Sequence, residues 1–226
     1  YITHDYSKAL LEMRVQLTES SVLADFEKEM TIYLDQQPLM ESERSITGIG
    51  SLWLTLINYI SDSQVRGLTI ALLVITILIS LIYGSLKMGL VSMIPNVAPI
   101  LMVGGIMGWL GVNLDSSKLL IATIAIGIAV DDTIHMMTRF KMEFEILGNY
   151  RDAFRRTLHE VGKALVITSV TLVLGWSALL TSIMDAQVWF GILLSATVVL
   201  ALFADFFIMP VLIFWLKPFG PERPSV

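Results

Sequence analysis

The chain has 226 residues, a formal net charge of -5, 55% hydrophobic residues and only 15% charged ones, where a soluble domain averages about 45–50% apolar and about 25% charged. A mean hydropathy of +0.73 excludes a disordered chain, and the negative charge argues against a basic nucleic-acid binder. With no cysteine, disulfide scaffolds, thiolate zinc sites, iron–sulfur clusters and cysteine nucleophiles are excluded too.

The chain opens on Tyr1 without a signal peptide and reads as a fragment of a longer protein. Residues 1–63 are polar. Ser7–Thr18 (SKALLEMRVQLT) and Val22–Leu34 (VLADFEKEMTIYL) carry apolar residues at helical spacing, Arg44–Ile49 (RSITGI) suggests a short strand, and Ser51–Ile60 reads as an amphipathic helix. This segment is too short for a sizeable core of its own and is expected to end a larger extracytoplasmic domain.

Five apolar runs follow. A hydrocarbon layer about 30 Å thick is crossed by about 20 helical residues. The first run is roughly Val65 to Tyr83, the second Leu90 to Leu110, the third Leu119 to Met137 with Asp131 and Asp132 inside it, the fourth Ala164 to Thr181, and the fifth Val188 to Leu216 with Asp205. The expected fold is therefore an all-α membrane bundle over residues 64–217, with a short tail over 218–226. Between the third and fourth runs, Tyr150–Leu165 is a basic amphipathic helix with Ala153, Phe154, Leu158, Val161 and Leu165 on one face. As a domain element it is placed at about 143–162. It is read as a helix at the membrane surface, drawn to anionic lipid.

Alternating spans place Lys87, Arg139, Lys141, Arg151, Arg155, Arg156, Lys163, Lys217 and Arg223 on one side and only Arg66 and Lys118 on the other. The positive-inside bias makes the first side cytoplasmic. The expected location is the inner (plasma) membrane, multi-pass, with residues 1–63 outside and the C-terminus inside.

Asp131 and Asp132 lie about 20 Å into their span at 1.5 Å per residue. An intramembrane acid is expensive, so it faces protein or water and marks a functional site by default. Two adjacent acids resist ionising together in low dielectric and titrate as a coupled pair. Such a pair can relay protons, pair statically with a cation, or hold a metal ion. No Lys or Arg lies in the apolar interior of the five runs, which leaves the proton relay as the best reading. His135 follows Asp131 by four residues and Asp132 by three, on a shared helical face. It either extends the relay or is an ordinary structural histidine. No third ligand stands near enough to make a metal site.

Thr133 on the same run, and Thr168 and Ser169 on the fourth, are candidates to support the acids or simply to bond between helices. Asp205 is a second intramembrane acid, suited to a water path or to packing. Pro95 and Pro99 free carbonyls in the second run. Gly104 and Gly108 form a small-xxx-small surface for close packing or flexing, and Gly127 lets a neighbour approach the acids. No Walker loop, serine elbow or HExxH motif occurs, so neither enzyme activity nor a cofactor is expected.

GIAVDDTIHMMTRFK in the third run resembles the resistance–nodulation–division (RND) superfamily, most of all its MMPL-type "predicted exporter" branch. So do ITGIGSLWLTLINYISDSQVRGL before the first run, RDAFRRTLHEVGKALVITSVTL into the fourth and ADFFIMPVLIFWLKP at the end. The resemblance covers roughly residues 45–218. It implies two pseudo-repeats, of which this chain is the second, and proton-driven export of hydrophobic or lipid-like molecules. Asp131 and Asp132 are then the proton-binding residues, facing matching acids of the first repeat. Drug-pump members carry a lysine in the corresponding helix; its absence here favours the lipid-exporter branch. The implied partners are protons, a lipidic substrate, membrane lipids, the N-terminal repeat and, as an option, further copies of the chain. A SecD/SecF-like accessory of protein export and a sterol-sensing-like lipid regulator share the same five-helix unit and stand as alternatives.

Overall fold

The computed structural model describes residues 2–3, 9–14, 20–36, 45–112 and 116–222. Among them the regular structure is helical, with one isolated antiparallel bridge between Ile2 and Ala9. The chain divides into two units, residues 1–59 and 60–226.

In the first unit α1 spans Ser20–Gln36 and covers the expected Val22–Leu34 helix. The start of α2, Ile49–Tyr83, packs on it: Leu54 is buried, and Ser51 Oγ donates to Glu27 Oε1 at 2.8 Å. The helix expected over Ser7–Thr18 does not form across residues 9–14. Its remaining positions, 7–8 and 15–18, lie outside the described residues. Leu10, Leu11 and Met13 are exposed, and a helix of this length without a packed face is marginal. The strand expected over Arg44–Ile49 is also absent from its described part. Gly48 takes φ +125 and Ile49 already opens α2, and no neighbouring strand offers a ladder; Arg44 lies outside the described residues.

Five helices among the described residues are long and apolar enough to cross a membrane. They are α2, α3 (Leu86–Trp109), α4 (Ser116–Leu147), α5–α6 (Tyr150–Thr157 and Lys163–Ser177, joined by a π turn at Leu158–Gly162 and closed by a 3-10 turn at Ala178–Thr181) and α7–α8 (Asp185–Phe203 and Met209–Leu216, joined by a π turn at Ala204–Ile208). The fold is an all-α membrane bundle. Helix α7 packs against α3, α4 and α6, and α4 packs against α3, α5 and α7. Helix α2 runs parallel to α4. Gln64 meets Thr123 at 3.2 Å, Ile79 packs with Ile126 and Val130, and the Tyr83 hydroxyl reaches Thr138 Oγ1 at 2.8 Å and Ile134 O at 3.3 Å.

Two glycines permit the closest helix contacts. A Cβ on Gly89 would sit 2.6 Å from Thr76 O, and one on Gly191 would sit 2.9 Å from Trp176 O. Gly104, Gly108 and Gly127, the positions expected to pack closely, would meet nothing within 4 Å. Their hydrogens face open space within this chain.

The amphipathic segment expected at about 143–162 is broken at Gly148. This residue takes φ +68 and donates to Phe144 O at 2.8 Å, a left-handed close of α4 that favours glycine. Asn149 then caps α5, its Oδ1 accepting from Arg151 N at 2.9 Å and Asp152 N at 3.2 Å. Ala153 and Leu165 are buried, with Phe154, Leu158 and Val161 against the same core of Phe140, Phe144, Tyr150 and Met209, so the apolar face is as the spacing predicts. The Tyr150 hydroxyl accepts from Phe219 N at 2.9 Å and donates to Gly220 O at 3.0 Å, tying the segment after α8 to this end of the bundle.

Candidate functional site

Successive residues on a helix point about 100° apart, so adjacent acids can look toward different surroundings. Asp131 is 74% exposed at its side chain, and His135, one turn on, is 68% exposed with Nε2 at 3.5 Å from Asp131 Oδ1. Gly127, Asp131 and His135 form one exposed stripe along α4 among the described residues, which ends at Thr138, where the Tyr83 hydroxyl of α2 reaches it. Asp132 faces inward and is 8% exposed. The two adjacent acids thus stand in different surroundings while still within electrostatic reach of each other.

Inward of Asp132 lies a polar cluster where α3, α4 and the π turn after α7 meet. Thr133 is fully buried, and its Oγ1 lies 2.7 Å from Asp205 Oδ1 and 2.9 Å from Asn96 Oδ1. Asn96 Nδ2 donates to Ser92 O at 2.8 Å. Asp132 lies within electrostatic reach of Asp205. Asp205 Oδ2 is buried without a hydrogen-bond partner among the described residues. A π turn inserts one extra residue into the helix and re-aims its neighbours; here it carries Asp205 into the bundle and leaves Phe206 to pack toward the fourth span. In an apolar core such groups are tolerated only when bonded to one another.

Of the residues singled out by sequence, Thr133 and Asp205 are thus joined, and Asp131 pairs with His135. Thr168 instead donates to Leu165 O of its own helix at 3.0 Å. Ser169 is buried, and its hydroxyl has no partner among the described residues. Neither is hydrogen-bonded to the acids. Pro95 and Pro99 are buried inside α3 and bracket Asn96. Asn96 was not among the expected residues; its signal was a lone amide in the apolar stretch between two prolines, where an unpaired polar group would be costly. A second feature went unread, the carboxylate of Glu143, 3% exposed, between Arg139 at 2.6 Å and Arg156 at 3.6 Å.

A family profile, that of the MMPL family, matches residues 7–225. A Methanocaldococcus jannaschii protein, whose name MJ1562 describes it only as a membrane protein, is 27% identical over 118 residues. That stretch is 52% of this chain and 30% of the relative, so the chain spans less than a third of the protein it matches. No solved structure matches. A profile that runs over nearly the whole chain, on five apolar helices with the acidic motif in the third, settles the family: the chain belongs to the MMPL family, within the transporter-like membrane proteins of the RND superfamily.

Proposed function

We propose that this chain is half of a secondary transporter that uses the proton gradient to export hydrophobic or lipid-like molecules, with Asp131, Asp132 and His135 as its proton-carrying residues and no enzymatic step of its own. The observation that carries the reading is the open stripe Gly127–Asp131–His135. A carboxylate exposed to lipid at that depth costs about 2.5–3.5 kcal/mol on insertion scales and more in bare hydrocarbon. Another helix or a water path must therefore cover the stripe. The N-terminal repeat of the same protein is the partner that the family architecture supplies, and the bare Gly127 leaves room for it beside the acid.

The membrane reading adds an orientation. The basic residues of α5 and of the adjoining ends of α4 and α8 lie on the cytoplasmic side of the inner membrane, and residues 1–63 lie outside. Asp131 takes and releases a proton at the interface between repeats. Asp132, turned to the inside of the bundle, links that event to the helices that open and close around the substrate.

The test is proton flux in vesicles containing the full-length protein, wild type against the Asp131→Asn/Asp132→Asn double variant at matched insertion. Loss of flux in the variant supports the reading. Equal flux in both removes the assignment. Binding of lipid without flux in either protein would instead favour a sterol-sensing-like regulator.

A further inference from the structure

The cluster behind Asp132 has a hydrogen count that closes in only one way. Asn96 Nδ2 is held by Ser92 O. A carbonyl only accepts, so the amide orientation is set and Asn96 Oδ1 must face Thr133 as an acceptor. Thr133 Oγ1 has one hydrogen and two short contacts, 2.9 Å to Asn96 Oδ1 and 2.7 Å to Asp205 Oδ1. With Asp205 ionised, both neighbours of that hydroxyl are acceptors and one short contact holds no hydrogen. With a hydrogen on Asp205 Oδ1 every contact is filled in one direction: Asp205 donates to Thr133, Thr133 to Asn96, and Asn96 to the Ser92 carbonyl. Ser92, Asn96, Thr133 and Asp205 are all buried, so bulk water cannot supply the missing hydrogen. The second oxygen, Asp205 Oδ2, has no donor among the described residues to steady a negative charge.

We propose that Asp205 is a second proton-binding carboxyl, on a different helix from Asp131 and Asp132, and that its proton decides whether the Thr133 hydroxyl donates to Asn96 on α3 or to Asp205 itself. Its role in transport rests on the reading above; its chemistry does not. Proton uptake forms one O–H bond at Asp205 Oδ1, and the Thr133 hydroxyl hydrogen turns from Asp205 to Asn96. Release reverses both changes and leaves Asn96 Oδ1 without a donor. No other covalent bond is made or broken.

Two of the elements joined there have interrupted backbone ladders. Helix α3 lacks two amide donors, at Pro95 and Pro99. Asp205 sits in a π turn, and the Phe206 ring beside it lies 3.7 Å from where a Cβ of Gly162 would stand, in the π turn of the fourth span. A hydrogen bond gained or lost at Thr133 thus acts where three helices can adjust. The titratable group facing Asp205 from α4 is Asp132. From α3 come only the non-titrating Asn96 and Ser92. The facing π turn of the fourth span carries His159 and Glu160, both exposed. The fifth span has no other titratable residue between Asp185 and Lys217.

The experiment is infrared spectroscopy of the full-length protein in lipid vesicles, following the protonated-carboxyl band as pH is varied. The expected result is a band that grows on acidification, is lost in Asp205→Asn and is kept in Asp131→Asn. Thr133→Val should move its midpoint, and Thr133→Ser should leave it in place. Asn at position 205 keeps the shape and donates to Thr133, so that variant tests the proton and not the fold. A band unchanged in Asp205→Asn, or one that ignores pH while the protein stays folded, would overturn the proposal. Two further outcomes separate it from the transport reading. Flux that depends on Asp131 with no band from Asp205 leaves transport standing and removes this site. A titrating Asp205 band in a wild-type protein without flux does the reverse.

Discussion

Asp131 and Asp132, adjacent in the chain, occupy different environments: the first is 74% exposed at its side chain beside His135, and the second is 8% exposed behind the cluster of Thr133, Asn96 and Asp205. Single substitutions should therefore separate them. In vesicles of the full-length protein, Asp131→Asn alone should abolish proton flux. His135→Ala, which removes the partner at 3.5 Å, should lower it about tenfold, within the usual range for a proton-transfer group. A His135→Ala variant with wild-type flux would return this histidine to a structural role.

The Thr133 hydroxyl joins two helices and a π turn. Thr133→Val keeps the shape but leaves Asn96 Oδ1 and Asp205 without their shared partner. Removing one member of a buried network leaves orphaned groups that cost about 1–3 kcal/mol, and within a membrane bundle the lower half of that range applies. Thermal unfolding in detergent should show a clear loss for Thr133→Val and none for Thr133→Ser. Equal unfolding of the two variants would mean that the hydroxyl does not bridge the helices.

Small residues should rank by contact and not by motif. Gly191→Val places a side chain 2.9 Å from Trp176 O, and backbone cannot retreat as a side-chain tip can. Overpacking of this kind costs about 1–3 kcal/mol or more, so Gly191→Val should insert poorly or unfold early. Gly89→Ala should do the same against Thr76 O, 2.6 Å away. Gly104→Ala and Gly108→Ala, which meet nothing within 4 Å, should fold and unfold as wild type. Expression with size-exclusion profiles, followed by melting curves, ranks the four.

At the other end of α4, Glu143 is 3% exposed and bonds to Arg139 at 2.6 Å, with Arg156 at 3.6 Å. Arg139→Ala leaves this carboxylate buried with one distant partner. Breaking a buried pair costs up to about 3–5 kcal/mol, and the part exposure of both arginines reduces that to about 2 kcal/mol. The double variant Arg139→Ala/Glu143→Leu should recover most of the loss, because no unpaired charge remains. Melting temperatures of the two variants check this. A double variant no more stable than Arg139→Ala would mean that the arginine acts through packing alone.

Much of the architecture was legible before any coordinates. Five uncharged or nearly uncharged runs specify five spans, because a backbone in lipid must satisfy its own hydrogen bonds and a helix does so within one segment. The apolar face of the segment after Asn149, from Ala153 to Leu165, followed from spacing alone. The short elements were less legible. Residues 9–14 carry a helical pattern without a packed face to hold it, and Gly148 splits a run that composition reads as one helix.

The acids mark the limit in another way. Residue order is enough to put two carboxylates deep in the third span and Asp205 in the fifth, with no Lys or Arg in the apolar interior to neutralise them. Those facts depend on residue type and on distance along a helix, and both are local. Packing alone turns Asp131 outward and Asp132 inward, and brings Thr133 to Asp205 across 72 residues of chain and to Asn96 across 37. Among the described residues it is Gly89 and Gly191 that meet a neighbouring helix closely, while Gly104 and Gly108 meet nothing within 4 Å. Each of these turns on the rotation of one helix against another and on the extra residue of a π turn. Side chains far apart in sequence set that rotation by packing together, and no local pattern records it.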